Sequence, residues 1–243
     1  AIRLRLQTMT YLAIPISGKD IKSCKEQIAA AAKAGAEMLE LRTDYIIDLN
    51  IDKLQELVAA AKETKLPIIV TCRDPQQGGQ NYLPASLRKQ ILVEAVKNGA
   101  DLIDCEFINF VKDFEKDIKK ALTENTKTKL ILSEHNFKEP FENLADIYEE
   151  MFTFFPDAIA KTAYKANHIN DCFSALDILN EYKNKAIAIC MGESGIVSRI
   201  LAKKLGAFLT FASIEENAQT APGQFSVNEL KKIFNYDSIN TKT

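Results

Sequence analysis

The sequence is poor in the residues that build metal centres, disulfide frameworks or fibrous chains. Only 2 of its 243 residues are histidine, and its 5 cysteines, Cys24, Cys72, Cys105, Cys172 and Cys190, are scattered, with no Cys-x-x-Cys pair among them. A zinc site of cysteine and histidine is therefore not expected, and no metal is assigned. An odd, dispersed set of thiols reads instead as small hydrophobes kept reduced, which suits the cytoplasm. Glycine (9) and proline (7) are sparse beside 47% hydrophobic residues, which excludes disordered and fibrous classes. Charge of one sign is also missing: 31 Lys and Arg face 33 Asp and Glu, a net −2. Without a dense basic run there is no electrostatic footprint for nucleic acid or anionic lipid, so small molecules are the expected partners. No run approaches the roughly 20 apolar residues of a membrane span. The opening AIRLRLQTMT lacks the apolar stretch of a signal peptide. A cytoplasmic protein is the expectation.

What is present is an alternation. Short apolar runs occur at 11–16, 38–42, 67–73, 102–107, 129–135, 158–163, 186–191 and 208–213. Segments with apolar residues at helical spacing follow them at 20–34, 51–64, 84–98, 110–124, 140–154, 169–182, 196–205 and 227–234. Runs of consecutive Ile, Leu and Val suit strands buried on both faces, hence parallel pairing with helices outside. Eight such units, in a length close to the roughly 250 residues of one barrel, predict a single α/β domain over 1–243. A closed (β/α)8 TIM barrel is preferred to an open doubly wound sheet. Gly35-Ala36, Gly99-Ala100 and Gly206-Ala207 each precede a strand and mark left-handed helix stops. Residues 235–243, NYDSINTKT, read as a polar tail or the stub of a linker.

In such barrels the C-terminal strand ends carry the chemistry. Those ends bring Glu40, Arg42 and Asp44, then Arg73, Asp104 and Glu106, then Ser133, Glu134 and His135, then Lys161, and finally Met191 leading to Arg199. Glu40, Arg42 and Asp44 are two apart, so a continuous strand would place them on one side, either as a binding cluster or as a structural ion-pair cluster. Lys161 stands among apolar neighbours in AIAKTA. A lysine buried there needs partners, such as Glu40 or Glu106, or gives up its proton and becomes a Schiff-base nucleophile. His135 ends the preceding strand, and adjacent strands lie about 4.8 Å apart, so imidazole and amine could serve one small substrate. His168, in KANHIND, reads as a helix cap or surface residue. Gly192, Gly195 and Arg199 form a loop entering a helix, where free N–H groups and a guanidinium favour an anion. No dinucleotide or P-loop fingerprint is satisfied.

Seven stretches then carry a resemblance: ELRTD (40–44), TCRDPQQGG (71–79), SEHNF (133–137), AKTA (160–163), MGESGIVSR (191–199), LTFAS (209–213) and TAPGQ (220–224). In this order the chain resembles type I 3-dehydroquinate dehydratases, nearly end to end. The resemblance implies syn-elimination of water from 3-dehydroquinate to 3-dehydroshikimate, a shikimate-pathway step of aromatic amino-acid biosynthesis, without metal or organic cofactor. It implies that Lys161 forms the imine with the substrate ketone. It makes His135 the base that removes the adjacent C2 proton and the acid that protonates the departing hydroxyl. Arg199 matches the carboxylate-binding arginine, and Glu40, Arg42 and Arg73 match substrate-binding positions. Met191, Phe211, Thr220 and Gln224 match the wall and closing loop. The family usually has a glutamate before the paired glycines, where it orients the catalytic histidine; here that residue is Gln77. An amide can hold an imidazole but cannot stabilise an imidazolium with a full charge. Free-standing relatives are commonly homodimers, and bifunctional ones carry a following shikimate dehydrogenase, so both assemblies stay open.

Two other readings compete. A class I aldolase barrel would share Lys161 but would not require SEH, MGxxGxxSR and APGQ together. A non-catalytic barrel that binds a metabolite would have no need of His135, Lys161 and Arg199 at once.

Overall fold

The computed structural model describes residues 10–214 and 223–241, with the side chain of Ile233 left aside. Strands and helices alternate along it. The strands are β1 (Tyr11–Ile16), β2 (Met38–Arg42), β3 (Ile68–Thr71), β4 (Leu102–Glu106), β5 (Lys129–Asn136), β6 (Ile159–Lys165), β7 (Ala186–Met191) and β8 (Leu209–Phe211). The helices are α1 (Ile21–Ala34), α2 (Ile51–Glu63), α3 (Ala85–Lys97), α4 (Phe107–Asn109), α5 (Glu115–Glu124), α6 (Leu144–Phe154), α7 (Phe173–Glu181), α8 (Ile196–Leu205) and α9 (Val227–Ile233). This is the (β/α)8 TIM-barrel class that the alternation predicts.

By its contacts the chain falls into two compact units, Pro15–Glu134 and Ala1–Ile14 with His135–Thr243. In the first, β2, β3, β4 and β5 pair in parallel, with Glu40 opposite Ile69, Thr71 opposite Asp104 and Glu106 opposite Ser133. Every residue of β2, β3 and β4 is buried, because helices take the outer face and the polar residues of these strands have one another. α2 buries the stripe Leu54, Leu57, Val58 and Ala61, the i, i+3, i+4, i+7 pattern of one helix face. In the second unit β6 pairs with β7, with Lys161 opposite Ile187. There the last strand, β8, pairs in parallel with the first, Tyr11 opposite Leu209. That last-to-first pairing distinguishes a barrel order from a doubly wound one.

Local chemistry sets the boundaries. Asp20 caps α1 by accepting from the Ser23 N–H at 2.7 Å. Gly35, Gly99 and Gly206 end their helices at φ of 92, 73 and 80°, the left-handed stops expected of them. β3 ends at Thr71, two residues early, because the Thr43 hydroxyl takes the Thr71 carbonyl at 2.9 Å; Arg73 therefore lies in the loop beyond. The helix expected over 110–124 begins instead as α4, passes through a π-helical stretch at Phe110–Phe114 and continues as α5. The wider turn buries both Phe110 and Phe114. Within the supposed tail, Tyr236 is buried, and Lys203 of α8 donates to its carbonyl at 2.8 Å with the ammonium 4.4 Å from its ring centre. That part of 235–243 is docked structure. All five cysteines are buried free thiols. Burial pushes the Cys24 thiol up to about 11 and Cys72 and Cys172 to about 12, which suits packing and not nucleophilic chemistry. No described helix is long and apolar enough to cross a membrane.

Candidate active site

In the first unit the strand ends carry a dense ionic network. Arg42 holds Asp44 with two bonds, Nε to Oδ1 at 2.9 Å and Nη2 to Oδ2 at 2.8 Å. Asp44 does not share a strand face with Glu40 and Arg42 as the spacing suggested. β2 stops at Arg42, and Asp44 lies in a 3-10 turn at Thr43–Tyr45, which swings its carboxylate back onto the guanidinium. Glu40 accepts from the Thr71 hydroxyl at 2.8 Å. Arg73 pairs with Asp104 at 2.9 Å and Glu106 at 2.7 Å, and donates to the Ser133 hydroxyl at 2.8 Å. Ser133 in turn donates to Asp104 at 2.6 Å. Burial works against both guanidinium charges, but Asp44 for Arg42, and Asp104 with Glu106 for Arg73, outweigh it and hold both above the ordinary arginine value.

The turn after β3 is fixed from the same network. The Asp74 carbonyl accepts from the N–H groups of Gln77 at 2.8 Å and Gly79 at 2.9 Å. Gly78 follows at φ 87°, and a Cβ on Gly79 would meet the Arg73 carbonyl at 2.3 Å, so only glycine fits there. Arg42 reaches the Gly78 carbonyl at 3.3 Å, and Asp44 accepts from the Gln80 N–H at 3.0 Å. Gln77 thus sits in a turn gripped on several sides. Three residues of this grip, Asp74, Arg88 and Asn109, escaped the sequence reading. Arg88 had a signal: it shares the α3 face of Ile91, Leu92 and Ala95, where a cation must have a reason to be buried.

In the second unit Lys161 lies mid-β6, 4% exposed, with its ammonium 4.9 Å from the centre of the Phe211 ring. The two are thereby brought together, as an amine against an aromatic wall. Its neighbour Thr162 is fixed by the Tyr148 hydroxyl at 3.0 Å, which itself donates to the Ile187 carbonyl at 2.7 Å. His135 is the next-to-last residue of β5, half-buried, its ring stacked 6.3 Å from that of Phe137. Met191, at the end of β7, and Gln224 are buried. Thr220 lies outside the described residues. His168 is the cap the sequence suggested: its Nδ1 accepts from the Asn170 N–H at 3.1 Å.

Arg199 enters from the first turn of α8 and is 2% exposed. Its approach is set by a rigid turn. Gly195 packs so closely that a Cβ would meet the Cys190 carbonyl at 2.3 Å, and Ser198 bonds both the Gly195 carbonyl and the Cys190 N–H. Burial pushes the Arg199 guanidinium down to about 10, so it remains a cation at neutral pH while carrying a desolvation cost. Gly223, at φ 73°, packs onto the same turn, where a Cβ would come 2.7 Å from the Gly192 carbonyl. Among the described residues no group of histidine, cysteine and carboxylate side chains could hold a metal ion.

A buried lysine against an aromatic ring, a histidine at the adjacent strand end and a buried cation on a fixed turn match one chemistry, and the comparison with known proteins agrees. The family model of type I 3-dehydroquinase matches residues 12–241. The chain belongs to that family. The 3-dehydroquinate dehydratase of Methanosarcina mazei is 34% identical over 94% of this chain and 95% of its own. The bifunctional 3-dehydroquinate dehydratase/shikimate dehydrogenase of Arabidopsis thaliana is 30% identical over 96% of this chain and 38% of its own length. Among solved structures, the type I 3-dehydroquinate dehydratase of Clostridium difficile superposes with a TM-score of 0.83 at 24% identity, covering 95% of this chain and 92% of that one, which bears on the fold. The type I 3-dehydroquinases are hydro-lyases of the shikimate pathway, and this chain is an enzyme of that class.

Proposed function

We propose that the chain converts 3-dehydroquinate to 3-dehydroshikimate through an imine on Lys161. The observation that carries the reading is Lys161 itself, a buried amine held beside an aromatic ring in the middle of a strand. The neutral amine adds to the substrate ketone and loses water to give an iminium. That cation draws electrons from the neighbouring carbon, His135 takes its proton, and an enamine forms. Collapse of the enamine expels the hydroxyl, which leaves as water on the proton His135 returns. Hydrolysis of the imine releases product and restores the amine. Arg199 binds the substrate carboxylate. Glu40, Arg42 and Arg73 bind the substrate, while Met191, Phe211, Thr220 and Gln224 enclose the ring. Gln77 takes the place of the carboxylate that orients the histidine in relatives.

The reaction needs no cofactor in this scheme, residues 1–243 act as one catalytic domain, and the free-standing form works in the cytoplasm. Sedimentation of the isolated chain decides between homodimer and monomer. The activity test is the absorbance of the conjugated enone product. The wild type should form it from 3-dehydroquinate, and Lys161→Ala should lower the rate by at least about 10⁴-fold, the scale of losing a covalent route. An active Lys161→Ala variant would overturn the imine.

A further inference from the structure

Two side chains on helices converge on the turn that carries Gln77. Arg88 of α3 is 5% exposed and donates through Nη1 to the Leu83 carbonyl at 2.8 Å. Its Nη2 meets the Asp74 Oδ2 in a close ion pair. Asn109, the last residue of α4, donates through Nδ2 to the same Asp74 oxygen at 2.9 Å and to Glu106 Oε2 at 3.1 Å. The other Asp74 oxygen accepts from the Gln76 N–H at 2.8 Å, and its carbonyl takes the N–H groups of Gln77 and Gly79. Glu106 adds a bond from the Asp74 N–H at 3.1 Å. Every polar group of Asp74 is thus engaged, and the turn is tied to α3, α4 and β4 at once.

We infer that Arg88 and Asn109 are positioning residues for the dehydration, acting through Asp74 to fix the turn that presents Gln77. The inference rests on the reading of Gln77 as the residue that steers proton transfer. A side chain on a short turn ordinarily samples several rotamers and backbone states. Here a buried ion pair and an amide remove that freedom, and misplacement by an ångström is enough to cost a proton transfer about 100-fold. Neither residue needs to touch substrate. Imine formation at Lys161 should therefore survive their loss, while the proton-transfer step slows.

The test is a double-mutant cycle with steady-state kinetics on 3-dehydroquinate and borohydride trapping as a second readout. Asn109→Ala, the gentler change, and Arg88→Met should each lower kcat by about 10-fold with KM little changed and the trapped adduct retained. Gln77→Ala should lower kcat comparably. Adding Asn109→Ala to Gln77→Ala should then cost nothing further, because the clamp acts only through the side chain already removed. If Gln77→Ala slows the enzyme and the losses multiply, the clamp inference fails while the role of Gln77 stands. If Gln77→Ala leaves kcat unchanged, the reading of Gln77 fails and the clamp with it. Arg88→Met that slows turnover through raised KM or a lost adduct would mark a merely structural residue.

Discussion

Arg73 and Arg199 are both buried arginines, one in each unit of the chain, and their surroundings have opposite effects. Around Arg73 the carboxylates of Asp104 and Glu106 return more than burial removes, and the charge is held above the ordinary value. Around Arg199 burial dominates, and the guanidinium is pushed down to about 10. The first is a cation whose counterions are built into the protein. At the second, burial is the larger influence and carries a folding cost. Burial alone therefore does not set the state of a buried arginine; the balance of burial and nearby charge does.

The sharpest way to break this comparison is to remove each cation in turn. Arg73→Met leaves Asp104 and Glu106 buried beside an apolar group, and should lower folding stability by about 3–5 kcal/mol in denaturant titration. A variant as stable as wild type would show that the network has little energetic weight. Arg199→Met should behave the other way. The folded pKa of Arg199 lies below its unfolded value, so the folded state binds fewer protons only above about pH 10, and at neutral pH the buried charge costs stability. Its removal should leave the ligand-free Tm unchanged or higher while raising KM for 3-dehydroquinate by about 100-fold, the scale of a lost charge-assisted pair. A lowered Tm with an unchanged KM would reverse the assignment.

A smaller effect sharpens the picture at the turn. Gln77→Glu introduces the carboxylate that the family resemblance leads one to expect at this position, and should raise the acidic pKa of the kcat profile by favouring a protonated imidazole. An unchanged pH profile would contradict the idea that this position acts on His135.

Much of this was legible in the sequence because the alternation of fully apolar runs with helical spacing is a strong signal, and because the glycine stops fall where left-handed residues are needed. Lys161 stood out because a charge in a segment that must be buried is conspicuous, and Arg199 because it follows a glycine loop entering a helix. Asp44 was misplaced because periodicity assumes a continuous strand, and the 3-10 turn after Arg42 breaks it. The π-helical stretch after α4 adds a residue to a turn without a sequence mark, since Phe110 and Phe114 also fit an ordinary helix. Asn109 and Asp74 were invisible because their role comes from a meeting of segments 35 residues apart. Tyr236 was hidden by its polar neighbours, although an aromatic residue in a polar terminus is itself a hint of docking.

The central claim is that Lys161 bonds covalently to the substrate. The most direct measurement is sodium borohydride reduction in the presence of 3-dehydroquinate, followed by mass spectrometry of the intact chain and of its peptides. A reduced adduct should appear on the peptide containing Lys161, persist in Gln77→Ala and vanish in Lys161→Ala. An adduct on another lysine, or enone formation with no adduct at all, would contradict the account.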